Sequence, residues 1–148
     1  MKKIIIPVVC IIILVGAFVV WQKFQTPAEP QGLGNSVEKA NLIRLTYPRP
    51  NQEIASPLVI TGEARGYWFF EASFPVMLVD WDGRIIAQGI ATAKEEWMTE
   101  NFVPFEATLT FEVDPNVYSK RGALILQKDN PSGLPEHDDA LEIPITYK

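Results

Sequence analysis

Phe105-Glu106-Ala107-Thr108-Leu109-Thr110-Phe111-Glu112 alternates apolar and polar side chains without a break, and Leu141-Glu142-Ile143-Pro144-Ile145-Thr146-Tyr147 repeats the pattern near the carboxyl end. Successive side chains of a strand point to opposite faces, so a period of two marks a strand with one face in a core and the other in water. Noisier versions of the alternation cover residues 42–47, 58–64, 70–80, 84–91 and 122–128. That makes seven strands. Turn-forming residues separate them at 48–50, 81–83, 114–116 and 130–135, the spacing of an antiparallel sandwich. The expected fold over residues 42–148 is an all-β, seven-stranded immunoglobulin- or fibronectin-like sandwich.

Asp82-Gly83 is the sharpest local signal, because the pair supports the positive φ angles of a tight hairpin. The third and fourth strands should therefore pair directly. Strands one, two and five are then expected opposite strands three, four, six and seven. Pro144 lacks a backbone N–H, which predicts the last strand at a sheet edge, open to strand addition by another chain.

The amino-terminal part obeys a different rule. Lys2 and Lys3 precede seventeen uncharged apolar residues, Ile4 to Val20, and Trp21 closes the run. A helix of this composition is apolar on every side, and at about 1.5 Å per residue it reaches roughly 26 Å, close to the hydrocarbon thickness of a bilayer. Residues 4–21 are expected to be an uncleaved signal anchor. The competing readings are a cleaved secretory signal, for which Thr26-Pro27-Ala28 is a poor site, and a lipid anchor at Cys10, which lies inside the apolar run. The two lysines ahead of the span predict residues 1–3 in the cytoplasm and the carboxyl-terminal domain outside, on a single-pass protein of the cytoplasmic membrane. Residues 22–41 mix Gln, Pro, Gly, Ser and Asn and read as a flexible tether.

Cys10 is the only cysteine, so the domain has no disulfide framework and must be held by packing. From Glu29 onward the chain carries all 18 of its Asp and Glu against 10 of its 13 Lys and Arg, a formal charge of −8. A surface of that sign repels polyphosphate, and no basic stripe interleaved with aromatics appears, which excludes nucleic acid as a partner.

Six stretches carry a resemblance. Residues 56–64 (Ser-Pro-Leu-Val-Ile-Thr-Gly-Glu-Ala), 68–76 (Trp-Phe-Phe-Glu-Ala-Ser-Phe-Pro-Val) and Asp82-Gly83, followed in order by Trp97-Met98, Phe102-Val103-Pro104-Phe105 and residues 129–135 (Asp-Asn-Pro-Ser-Gly-Leu-Pro), resemble the immunoglobulin-like domain of bacterial spore germination proteins. The resemblance covers about residues 42–147. It implies a sandwich in an extracytoplasmic setting and no established activity, cofactor or ligand.

Candidate binding residues follow from the topology. Tyr67-Trp68-Phe69-Phe70 sits where the second strand hands over to the third, and strict alternation would put Trp68 and Phe70 inside. Trp97 and the loop from Asp129 onward belong to connections that share one pole with this block in a sandwich of the expected order. Tyr67, Trp68, Trp97, Asp129, Asn130 and Ser132 are thus the binding candidates, for an envelope protein or, as the rival, for cell-wall glycan stacked on the aromatics. Glu136, His137, Asp138 and Asp139 invite a metal reading, but Asp129-Asn130-Pro131-Ser132-Gly133 departs from calcium-loop spacing and His137 is the only histidine. Ser132 with His137 lacks the strained turn and buried orienting acid of a hydrolase. Glu71, inside an aromatic run, reads as a structural lock with Arg65 or Arg84. A glycosidase would need Asp80 or Glu63 beside it. No catalytic group, metal or cofactor is expected.

Overall fold

The computed structural model describes residues 35–148. The expected cytoplasmic residues 1–3, the span 4–21 and the tether residues 22–34 lie outside them. Among the described residues no helix is long and apolar enough to cross a membrane.

Eight strands form: β1 (Ile43–Tyr47), β2 (Gln52–Ile54), β3 (Leu58–Arg65), β4 (Ser73–Asp80), β5 (Ile85–Ala93), β6 (Phe102–Leu109), β7 (Arg121–Gln127) and β8 (Ala140–Tyr147). They make one continuous ladder in the order β1-β3-β6-β5-β4-β7-β8-β2. Between β5 and β6 only Thr92 with Glu106 and Ala93 with Phe105 are in register, whereas β4 and β5 pair along nearly their whole length. The ladder folds over at that seam. Phe74 of β4 meets Phe105 of β6 edge to face at 5.0 Å, and buried side chains from both halves form a single cluster. The halves are β1-β3-β6 and β5-β4-β7-β8-β2, and apart from β2 the grouping is the one expected from the sequence.

The alternation is realised at the side-chain level. In β6, Val103, Phe105, Ala107 and Leu109 are buried while Glu106 and Thr108 are exposed. Phe69, Phe74 and Phe105 stack edge to face through the middle of the core, a geometry that adds to simple area burial. The Asp-Gly hairpin forms as well: Asp80 N–H donates to Arg84 O at 2.9 Å, Gly83 N–H to Asp80 O at 3.0 Å, and Gly83 takes a φ of 77°.

The strand count is eight rather than seven, because β2 is three residues long and too short to show a period. It pairs in parallel with β8, from Gln52 opposite Ile145 to Ile54 opposite Tyr147. The last strand is therefore not an edge. Pro144 is tolerated because β2 begins just beyond it, and its carbonyl accepts from the Asn51 N–H at 2.6 Å. Ahead of Pro144 a side chain replaces the missing neighbour. Asn35 donates through Nδ2 to Ala140 O at 2.9 Å and accepts at Oδ1 from the Glu142 N–H at 2.8 Å, as a backbone amide would.

Candidate functional site

Three connections and the entry of the chain meet at one end of the molecule. Residues 66–68 close a 3-10 turn after β3, and Gly66 N–H donates to Asn101 O at 3.1 Å. A Cβ on Gly66 would collide with the carbonyl oxygens of Thr99 and Trp97, so only glycine lets the β5–β6 connection cross there. Asp129 N–H donates to Trp68 O at 3.0 Å and ties in the β7–β8 connection. Arg65 binds the entry turn to the pole: Nε donates to Asn41 O and Nη1 to Glu100 O, both at 3.1 Å, with the guanidinium over the Phe102 ring at 4.0 Å. Lys39 pairs with Asp139 at 2.5 Å.

The convergence expected from the sequence thus occurs, with a different set of side chains facing outward. The 3-10 turn breaks the strand alternation, so Trp68 and Phe69 enter the core and Tyr67 and Phe70 face out, 51% and 41% exposed. Trp68 is fully buried, its Nε1 has no hydrogen-bond partner, and its ring presents no face for stacking a sugar. Trp97 is half-buried and packs against the core. Met98, 75% exposed, and Leu134, 48% exposed, are the apolar side chains these loops display instead.

Asn130 and Ser132 organise their own loop. Asn130 Nδ2 donates to Leu134 O at 2.8 Å and to Asp138 Oδ1 at 2.7 Å, while Ser132 Oγ donates to Asn130 Oδ1 at 2.5 Å and accepts from Leu134 N–H. Their polar atoms are engaged within the loop, a closed network of the kind that fixes loop shape. Among the described residues no three His, Cys, Asp or Glu side chains converge as a metal site would require.

Glu71 does not form the expected lock. Arg84 pairs with Asp80, and Arg65 is committed to Asn41, Glu100 and Phe102. Glu71 and Ala72, with φ of 48° and 61°, occupy the centre of a tight turn closed by hydrogen bonds between Phe70 and Ser73 in both directions. Asp80 lies at the far end of β4, eight residues at about 3.3 Å each, far outside the 5–10 Å that a glycosidase pair requires. Glu63 is paired with Arg44 at 3.0 Å.

The opposite pole holds features that residue spacing did not disclose. Trp81 at the β4–β5 hairpin and Tyr118 before β7 pack with ring centroids 5.2 Å apart and planes tilted by 51°, although they are 47% and 88% exposed. A cavity of about 310 Å³ opens beside Arg84 and Ile85, with Asp80, Glu112, Val117 and Tyr147 among its walls. The Asp80 carboxyl is held below the usual carboxylate range, chiefly by the Arg84 N–H. Desolvation opposes this, and the Asp82 N–H and the Arg84 charge reinforce it. Burial, with the Asp80 charge adding to it, pushes the Tyr147 phenol far up, and its hydroxyl donates to Val79 O at 2.7 Å. The sequence signal for this pole was an aromatic at a hairpin tip, where a side chain has no core to enter.

No curated protein and no solved structure matches the chain. A family model, the immunoglobulin-like domain of bacterial spore germination, matches residues 42–133, from the residue before β1 into the β7–β8 loop, and β8 beyond the match completes the sheet. The chain belongs to the family of the immunoglobulin-like domain of bacterial spore germination.

Proposed function

We propose that the protein is a membrane-anchored module whose immunoglobulin-like domain works outside the cytoplasmic membrane by binding another envelope protein, without chemistry of its own. The observation that carries this reading is the loop pole. Three connections are cross-tied by main-chain hydrogen bonds around Gly66 and Trp68, and the exposed Tyr67, Met98 and Leu134 sit on that fixed frame. A rigid aromatic side chain on a preorganised surface loses little entropy on binding, and a flexible methionine beside it adapts its shape to the partner, as protein docking sites require. The chain enters the domain at the same pole through Asn41 and Lys39, so a partner embedded in the membrane is within reach.

Two experiments test it. With Cys10→Ser and Ser132→Cys in the full chain, a membrane-impermeant maleimide should label intact cells. Labelling only after lysis would place the domain in the cytoplasm and end the reading. Tyr67→Ala combined with Met98→Ala should abolish co-purification of envelope proteins while leaving the folded domain intact.

The second reading is a glycan-binding module, favoured by the exposed, contacting rings of Trp81 and Tyr118 beside the cavity of the other pole. Soluble peptidoglycan fragments would change tryptophan fluorescence in the native chain and not in Trp81→Phe. An unchanged signal in the native chain removes this reading.

A further inference from the structure

The two halves of the sheet differ on their outer faces. On β1, β3 and β6 the outward positions include Arg44, Glu63, Arg65 and Glu106, as expected of a half-buried sheet. On β5, β4, β7 and β8 they include Pro75, Met77, Val79, Ile85, Ile90 and Ile125. The register places these side by side: Met77 stands between Gln88 and Ile125, Val79 between Ile85 and Ala123, and Pro75 beside Ile90. Ile85 and Ile90 are 54% and 63% exposed. Residues 74–79 and 123–126 are apolar at every position, the composition of strands covered on both faces, while the described chain covers only the inner one.

We infer that a second copy of this chain covers this face. On the outer face of those four strands the charged side chains are Arg121 of β7 and Glu142 of β8, of opposite sign, with Glu53 of the edge strand β2 at the rim beside Thr146. Glu142 stands opposite Ile125, four residues along β7 from Arg121. A two-fold axis lying in the interface midway between the two positions exchanges them, so each copy's Arg121 meets its partner's Glu142. The remaining contact between the four strands is uncharged and mostly apolar, so two domains of formal charge −8 can meet here with few like charges brought together. Four strands about 4.8 Å apart and about 27 Å long present roughly 500 Å² per copy. The total of roughly 1,000 Å² is at the lower limit for a specific interface, which implies a weak dimer.

Sedimentation of the full chain in detergent tests this. A dimer is expected at high protein concentration, on the order of 100 μM, because an interface at the lower size limit is weak. Arg121→Glu and Glu142→Arg should each weaken it by about tenfold or more, and the two together should restore it to within about threefold, because the swapped pair is reciprocal again. Ile125→Asp, at an outward position that leaves the core intact, should abolish it. A chain that stays monomeric at this concentration overturns the inference. So does a dimer that survives Ile125→Asp and both single charge changes, since that dimer would be held elsewhere, for example through residues 4–21.

Discussion

Trp68 and Tyr67 are adjacent in the chain and have opposite environments because residues 66–68 turn as a 3-10 helix instead of continuing β3. Trp68→Ala should cost about 3–5 kcal/mol in urea unfolding, the range for emptying a buried aromatic site, whereas Tyr67→Ala should stay within about 0.5 kcal/mol. Similar losses at both positions would mean that Tyr67 is part of the core. At the other pole, the Asp80 carboxylate accepts from the Arg84 and Asp82 N–H groups, and its pKa lies below the unfolded value of 3.8. Its contribution is therefore present above that value and lost as the pH falls through the lower, folded one. Asp80→Asn should flatten the acid limb of the stability curve. Tyr147 works in the other direction. Its folded pKa is raised, so an unfolded chain releases that proton near pH 10 while the folded chain keeps it, and stability falls as the pH rises past about 10. Tyr147→Phe should remove that alkaline decline at the cost of the hydrogen bond to Val79 O.

At the scale of elements, the tight turn before β4 is built from the wrong residues for its shape. Glu71 and Ala72 both hold positive φ, which Asn-Gly adopts with far less strain. Replacing the pair by Asn-Gly should raise the melting temperature by several degrees, corresponding to about 1–2 kcal/mol. No change would mean that the turn is not strained. The cap on β8 is a second such case: Asn35→Ala leaves the Glu142 N–H without its acceptor, and hydrogen exchange at that amide should accelerate by about tenfold or more. The strands legible in the sequence were those with several alternations, such as β6 and β8, and their sorting into two halves followed from the Asp82-Gly83 hairpin. β2 was not legible because three residues carry no period, and Pro144 misled because a missing N–H does not reveal whether a neighbour starts just beyond it. The pole was legible as a meeting of loops. Its exposed residues were not, because a 3-10 turn changes which side chains face out without changing composition.

For the molecule as a whole, the family places an immunoglobulin-like fold on residues that carry their own core, and the sequence sets an apolar segment, residues 4–21, ahead of it. Three surfaces of different character result: a cross-tied loop pole where the chain enters, an aromatic pair beside a cavity at the opposite pole, and an apolar outer sheet. On the reading advanced above, the first is the docking surface for an envelope partner. A photoreactive amino acid placed at Tyr67 of the full chain in living cells, with Thr110 just past the far end of β6 as the control position, tests that reading most directly. The account predicts one specific envelope protein captured from position 67 and none from position 110. No adduct at position 67, or the same adducts from both positions, would contradict it.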